Sequence, residues 1–173
     1  MLLRFTFVGK LFYHTQKIQT IHPVIKERED LLMTTIYDKA KYHYENFEED
    51  LPRKQAYVHT GFFIGWLIDN DMVSEDFQKS YENLIAEFKQ RKMTGPEVYE
   101  KTGGVLAKDM LNEEGNQFAM FYFDFETGEY RYHYLEAFDC EPSVYHVEDT
   151  WENYDHIKDW IDNEYEYWCE KNK

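Results

Sequence analysis

Near its C-terminal end the chain carries Trp151, Tyr154, Ile157, Ile161, Tyr165 and Trp168, large apolar residues recurring every three or four positions. That period places all six on one face of an α-helix, while Asp155, Asp159, Asp162 and Glu166 fall on the opposite face. Asp149 and Glu152 stand at capping-box spacing and mark the expected start. Such a helix docks through an aromatic stripe and shows water an acidic face, so the rest of the chain has to supply an apolar surface for it.

Upstream text predicts that surface to be largely helical. Thr35 is read as the cap of a helix holding Tyr37, Ala40, Lys41 and Tyr44. Pro52 separates it from a second helix, about Lys54 to Asp69. Ser74 caps a third, with Phe77, Tyr81, Leu84, Ile85 and Phe88 along one stripe. Thr94-Gly95-Pro96 opens a fourth, and Gly103-Gly104 stops it. A brief helical turn is expected around Asp109–Glu113, ending at Gly115. The pattern then changes. Gln117 to Phe125 is nearly all aromatic or apolar, and Tyr130 to Tyr134 alternates around a Gly128-containing turn. This reads as an aromatic β-hairpin or small antiparallel sheet, with Tyr130, Tyr132 and Tyr134 facing inward. The expected fold class is α+β: a helical N-terminal half, a hairpin or small sheet, and a closing C-terminal amphipathic helix.

Composition narrows the function. Among 173 residues, 43% are hydrophobic and 18% aromatic, which excludes wholesale disorder. The net charge of −15 excludes a free-standing nucleic-acid binder, because neutralising phosphates needs a basic face. Charge also divides the chain: residues 1–32 carry +2 and the remainder −17, with Met33 at the change. The domain is therefore expected to span 33–173, with 1–32 an N-terminal extension outside the fold. Arg4, Lys10 and His14 interrupt the first apolar run, and no small-residue cleavage site follows, which argues against a secretory signal. No run of about 18 apolar residues occurs, so no membrane span is expected. Cys140 and Cys169 form no CxxC pair and read as free thiols in a reducing cytoplasm.

Candidate chemistry concentrates in AYVHTGFFIGWLIDND, residues 56–71. Gly61 and Gly65 share a helix face, where each costs roughly 1 kcal/mol relative to alanine. Close approach of another backbone is the plainer reason for them, and approach of a ligand the sharper one. His59 reads either as a half-buried histidine bonded to a carbonyl or as a base or ligand. His43 sits on the preceding helix and could converge with it, joined by Asp38, Asp69 or Asp71. No HExxH or HxH occurs, so neither metal nor cofactor is expected. No GxSxG, protease-type cysteine or phosphate loop occurs, and no catalytic residue is assigned. The candidate ligand- or partner-binding residues are Asp38, His43, His59, Trp66 and Asp69.

The segments YDKAKYHYE (Tyr37–Glu45), QAYVHTGFFIGWLIDND (Gln55–Asp71), GVLAKDMLNEEGNQFAMFYFD (Gly104–Asp124) and SVYHVEDTWENY (Ser143–Tyr154) resemble a family of uncharacterised bacterial proteins carrying a domain of unknown function. The resemblance implies one intact domain and a bacterial cytoplasmic origin, and no activity. The acidic character and the expected hairpin are also similar to small immunity proteins of bacterial toxin systems. The functional expectation is a non-enzymatic interaction module that binds a basic protein partner, since opposite charge steers association. The alternative is a small enzyme or ligand-binding domain with a pocket around His59, oriented by Asp38 or Asp69 and walled by Trp66.

Overall fold

The computed structural model describes residues 35–172 apart from Asn46, Glu48, Glu49, Phe125, Glu141 and Pro142. All of these belong to one unit, Thr35–Lys173. The expected extension, 1–32, lies outside the described residues. Chain order runs β1 (Ile36–Lys39), α1 (Ala40–Tyr44), a 3-10 turn (Arg53–Tyr57), α2 (Val58–Asp69), α3 (Glu75–Ser80), α4 (Glu82–Lys89) and α5 (Gly95–Lys101). Then follow β2 (Val105–Ala107), a 3-10 turn (Lys108–Met110), α6 (Glu113–Phe118), a π-helical turn (Ala119–Phe123), α7 (Tyr130–Phe138), a 3-10 turn (Val144–His146) and α8 (Trp151–Lys171). The fold is α+β, with a two-stranded antiparallel sheet and a closing C-terminal helix. Among the described residues no helix is long and apolar enough to cross a membrane.

The core is built around α2. Every residue from Val58 to Ile68 is buried, as an all-round apolar helix demands. Its neighbour α5 starts at a complete capping box between Thr94 and Glu97, with Pro96 in the first turn. It stops before Gly103 and Gly104, whose φ values of 99° and 64° an L side chain rarely adopts. The two helices meet backbone to backbone. A Cβ on Gly61 would stand 2.3 Å from Pro96 Cα, and one on Gly95 would stand 2.2 Å from Gly61 O. Close packing is therefore what the Gly61 position serves.

The C-terminal stripe docks as its period requires. Tyr154, Ile157 and Ile161 are buried, while Trp151, Tyr165 and Trp168 are half-buried against the core. Its cap differs by one residue from expectation. Thr150 accepts from Asn153 N, whereas Asp149 accepts from Thr94 Oγ1 at 2.7 Å and ties the helix entry to α5.

Several expectations are corrected. Ile36 to Lys39 form a strand, not the first turn of a helix capped by Thr35, and only Ala40 to Tyr44 are helical. β1 pairs with β2 in the register Ile36↔Ala107, Asp38↔Leu106, Lys39↔Val105, with a bulge between Ile36 and Asp38. Four residues carry too little period to reveal a strand whose partner is so distant. The stripe from Phe77 to Phe88 is two helices, broken at Tyr81 with φ −124°.

The aromatic stretch expected as a hairpin is helical. Asn112 caps α6 by accepting from Gly115 N, so Gly115 lies inside a helix and does not end one. Phe118 and Tyr122, four apart, are both buried, as are Tyr130 and Tyr134. Tyr132, which alternation would have turned inward, is 66% exposed. The turn between these helices is tied by Asp124 Oδ1, which accepts from Glu126 N, Thr127 N and Thr127 Oγ1. Burial against α2 and α8 outweighs the strand preference of aromatic residues, which reflects packing context more than the backbone.

Candidate functional site

Asp38, His43 and His59 converge from β1, α1 and α2. Asp38 is buried next to the bulge, and three donors meet its carboxylate. His43 Nε2 lies 2.7 Å from Oδ1. Thr60 Oγ1 donates to Oδ2 at 2.7 Å and Tyr99 OH at 2.9 Å. Burial alone would raise this carboxyl; the hydrogen bonds from His43 and Thr60 and the two nearby imidazoles outweigh it and hold its pKa at about 2. The Tyr99 hydroxyl is pushed far above the usual tyrosine range by burial and then by the Asp38 charge, and it also accepts from Ala40 N.

The hydrogen positions follow from these contacts. Thr60 gives its proton to Asp38, so its oxygen accepts from His59 Nε2–H at 3.1 Å. His59 Nδ1 is then the unprotonated nitrogen, and it is buried without a hydrogen-bond partner. Burial first, then repulsion from His43, pulls the His59 pKa down to about 3 against the attraction of Asp38. In neutral His43, Nε2–H donates to Asp38 and Nδ1 accepts from Tyr145 OH at 2.9 Å. The two imidazoles are edge to face, with centroids 4.6 Å apart.

Trp66 and Asp69 do not join this group. Trp66 lies two turns along α2, roughly 10 Å of helical rise from His59. Its Nε1 donates to Asp162 Oδ1 at 2.7 Å, and its ring packs on Phe63 and Phe118. Asp69, at the end of α2, accepts from Tyr154 OH. Both residues fasten α2 to α8 instead of walling a site at His59. Sequence reading missed Thr60, Tyr99 and Tyr145. Tyr99 and Tyr145 stand 61 and 102 residues from the groups they bond, and neither carries a local signal.

A second feature is open to solvent. A groove of about 480 Å³ is lined by Met120, Phe121, Tyr122, Thr127, Glu129, Glu164 and Tyr167. The π-helical turn keeps Tyr122 inside while Met120 and Phe121 are exposed, and Tyr167 of α8 stands exposed on the groove as well. Glu129 lies 3.7 Å from His133 Nε2, and His133 Nδ1 bonds Tyr122 OH at 3.1 Å.

Comparison with known proteins adds a family and no activity. No curated protein matches the chain, and no solved structure does. A family model described as a domain of unknown function, DUF7832, matches residues 36–147. The matched span holds Asp38, His43 and His59 and ends before α8 begins. The chain belongs to this DUF7832 family.

Proposed function

We propose that this domain is a non-enzymatic interaction module that binds a basic segment of a protein partner, in the manner of an immunity protein in a bacterial cytoplasm. The observation that carries the reading is the groove. Its exposed apolar side chains, Met120, Phe121 and Tyr167, stand beside the carboxylates of Glu129 and Glu164. An arginine or lysine presents the matching chemistry: an aliphatic stem for the apolar wall and a cation for an aromatic face and a carboxylate. The net charge of −15 steers such a partner from a distance. The hairpin plays no part in the likeness to immunity proteins, since those residues are helical; charge and the groove support it.

The test titrates the full chain with a labelled Arg/Lys-rich peptide and with its neutral glutamine counterpart. The basic peptide is expected to bind, and to lose about tenfold or more in affinity as salt rises through the range where the Debye length falls below about 8 Å. Glu129→Gln combined with Glu164→Gln is expected to weaken it by about tenfold. Equal binding of both peptides, or an unchanged affinity in the double variant, would sink the reading.

A second reading, a ligand-binding domain centred on His59, is favoured by the convergence of Asp38, His43 and His59.

A further inference from the structure

We infer that Asp38, His43 and His59 form a binding site for a divalent first-row transition-metal ion of the zinc class. The inference is independent of the groove and develops the second reading. Each residue offers one donor atom, and the three lie within 4.8 Å of one another. Tetrahedral coordination at about 2.0–2.2 Å keeps ligand atoms roughly 3.3 Å apart. The 2.7 Å contact between His43 Nε2 and Asp38 Oδ1 therefore has to open slightly, and the widest separation has to close by side-chain adjustment. His43 stands on a helix of five residues, short enough to give.

The surroundings are those that metal ligands need. Ligating carboxylates and imidazoles are oriented by hydrogen bonds to their remaining polar atoms. Here Asp38 Oδ2 receives Thr60 and Tyr99, and His43 Nδ1 faces the Tyr145 hydroxyl. Thr60 lies 3.1 Å from Nε2 of His59, and Nδ1 of the same ring is buried with no hydrogen-bond partner. A hydrogen-bonded knot explains Asp38 and His43 but not that buried nitrogen. Two imidazoles and one carboxylate suit zinc, cobalt or ferrous iron, and do not suit calcium or magnesium, which prefer all-oxygen sets. The proton balance is simple. With Nε2 on the metal, the His43 ring proton sits on Nδ1 and donates to the Tyr145 oxygen, whose own hydrogen turns away.

The experiment uses the full chain after chelator treatment, titrated with Co²⁺ and followed by visible absorption. One equivalent is expected to bind with the absorption of a low-coordinate nitrogen–oxygen site, to be displaced by one equivalent of Zn²⁺, and to raise the melting temperature. His43→Gln and His59→Gln are expected to abolish the band, while His133→Gln keeps it. Tyr145→Phe spares all three ligands; the band is expected to persist with affinity down about tenfold. Failure of folded wild-type protein to take up Co²⁺ or Zn²⁺ would overturn the inference. So would a band that survives in His43→Gln, or one lost in His133→Gln.

Discussion

Gly61→Ala is expected to lower the melting temperature by roughly 5–15 °C, a large loss for one methyl group. On an open helix the change would stabilise by about 1 kcal/mol, because alanine is the better helix former. At Gly61 the new methyl would lie 2.3 Å from Pro96 Cα and 2.5 Å from Pro96 N. Backbone atoms in a proline ring cannot rotate aside, so α5 as a whole must retreat from α2. The retreat loosens Val98 and Tyr99, both fully buried, and withdraws the hydroxyl that bonds Asp38. We expect a net cost of about 2–4 kcal/mol, toward the upper end of overpacking effects. Gly65→Ala is the useful comparison. Its nearest obstacles are the Phe88 and Tyr154 rings at 3.0 Å, which can turn, so the loss is expected to be smaller. Thermal melts of both variants decide the matter, and a Gly61→Ala protein as stable as wild type would refute the account.

Acid is expected to destabilise the chelator-treated protein well above the usual carboxylate range. His59 has a folded pKa of about 3 against 6.5 for the free side chain. The unfolded chain therefore binds the extra proton first as pH falls. The stability tied to this group is complete above pH 6.5 and drains away from there toward pH 3. By pH 5 the cost is about 2 kcal/mol, from roughly 1.4 kcal/mol per pH unit. Asp38 adds a second, lower window: its contribution is present above the free value of 3.8 and is lost as pH falls through about 2. Denaturant titrations at pH 7.5, 6 and 5 (about the span of the upper window) read the slope. His59→Gln removes the titrating ring, so the difference between variant and wild type should shrink as pH falls. A wild-type midpoint that is flat across that span would contradict the burial of His59 as a neutral base.

The legible parts of the fold were those with a long period or a local cap. α8 is legible through its stripe, α5 through Thr94-Gly95-Pro96 and the two glycines after it, and α2 through the apolar text that follows Pro52. The largest departure has a physical reason. The aromatic stretch from Gln117 to Tyr134 has side chains that pack equally well from either backbone, and distant surfaces on α2 and α8 made the choice. Asn112 was the local signal that could have found it, since an asparagine ahead of Glu113-Glu114 is a helix start. The strand pair was invisible because each half is so short. At the site, Asp38, His43 and His59 were legible as polar residues in otherwise core-like text. Trp66 and Asp69 share α2 with His59 but bond to α8, because residues of one helix two or more turns apart do not meet at one place.

The pairing of β1 with β2 fastens the start of the described chain to its middle. Asp38 meets Tyr99 across 61 residues and His43 meets Tyr145 across 102, and α2 reaches α8 over similar spans, Asp69 to Tyr154 across 85 and Trp66 to Asp162 across 96. Closing such long loops comes late on a folding route. The segment Ile36–Tyr44 joins a body that is otherwise able to assemble, and it is held by one short ladder and a few side-chain bonds. Segments attached in this way open below the free energy of global unfolding. The polar cluster opens whenever this segment lifts away, and whatever binds there acts as its clasp.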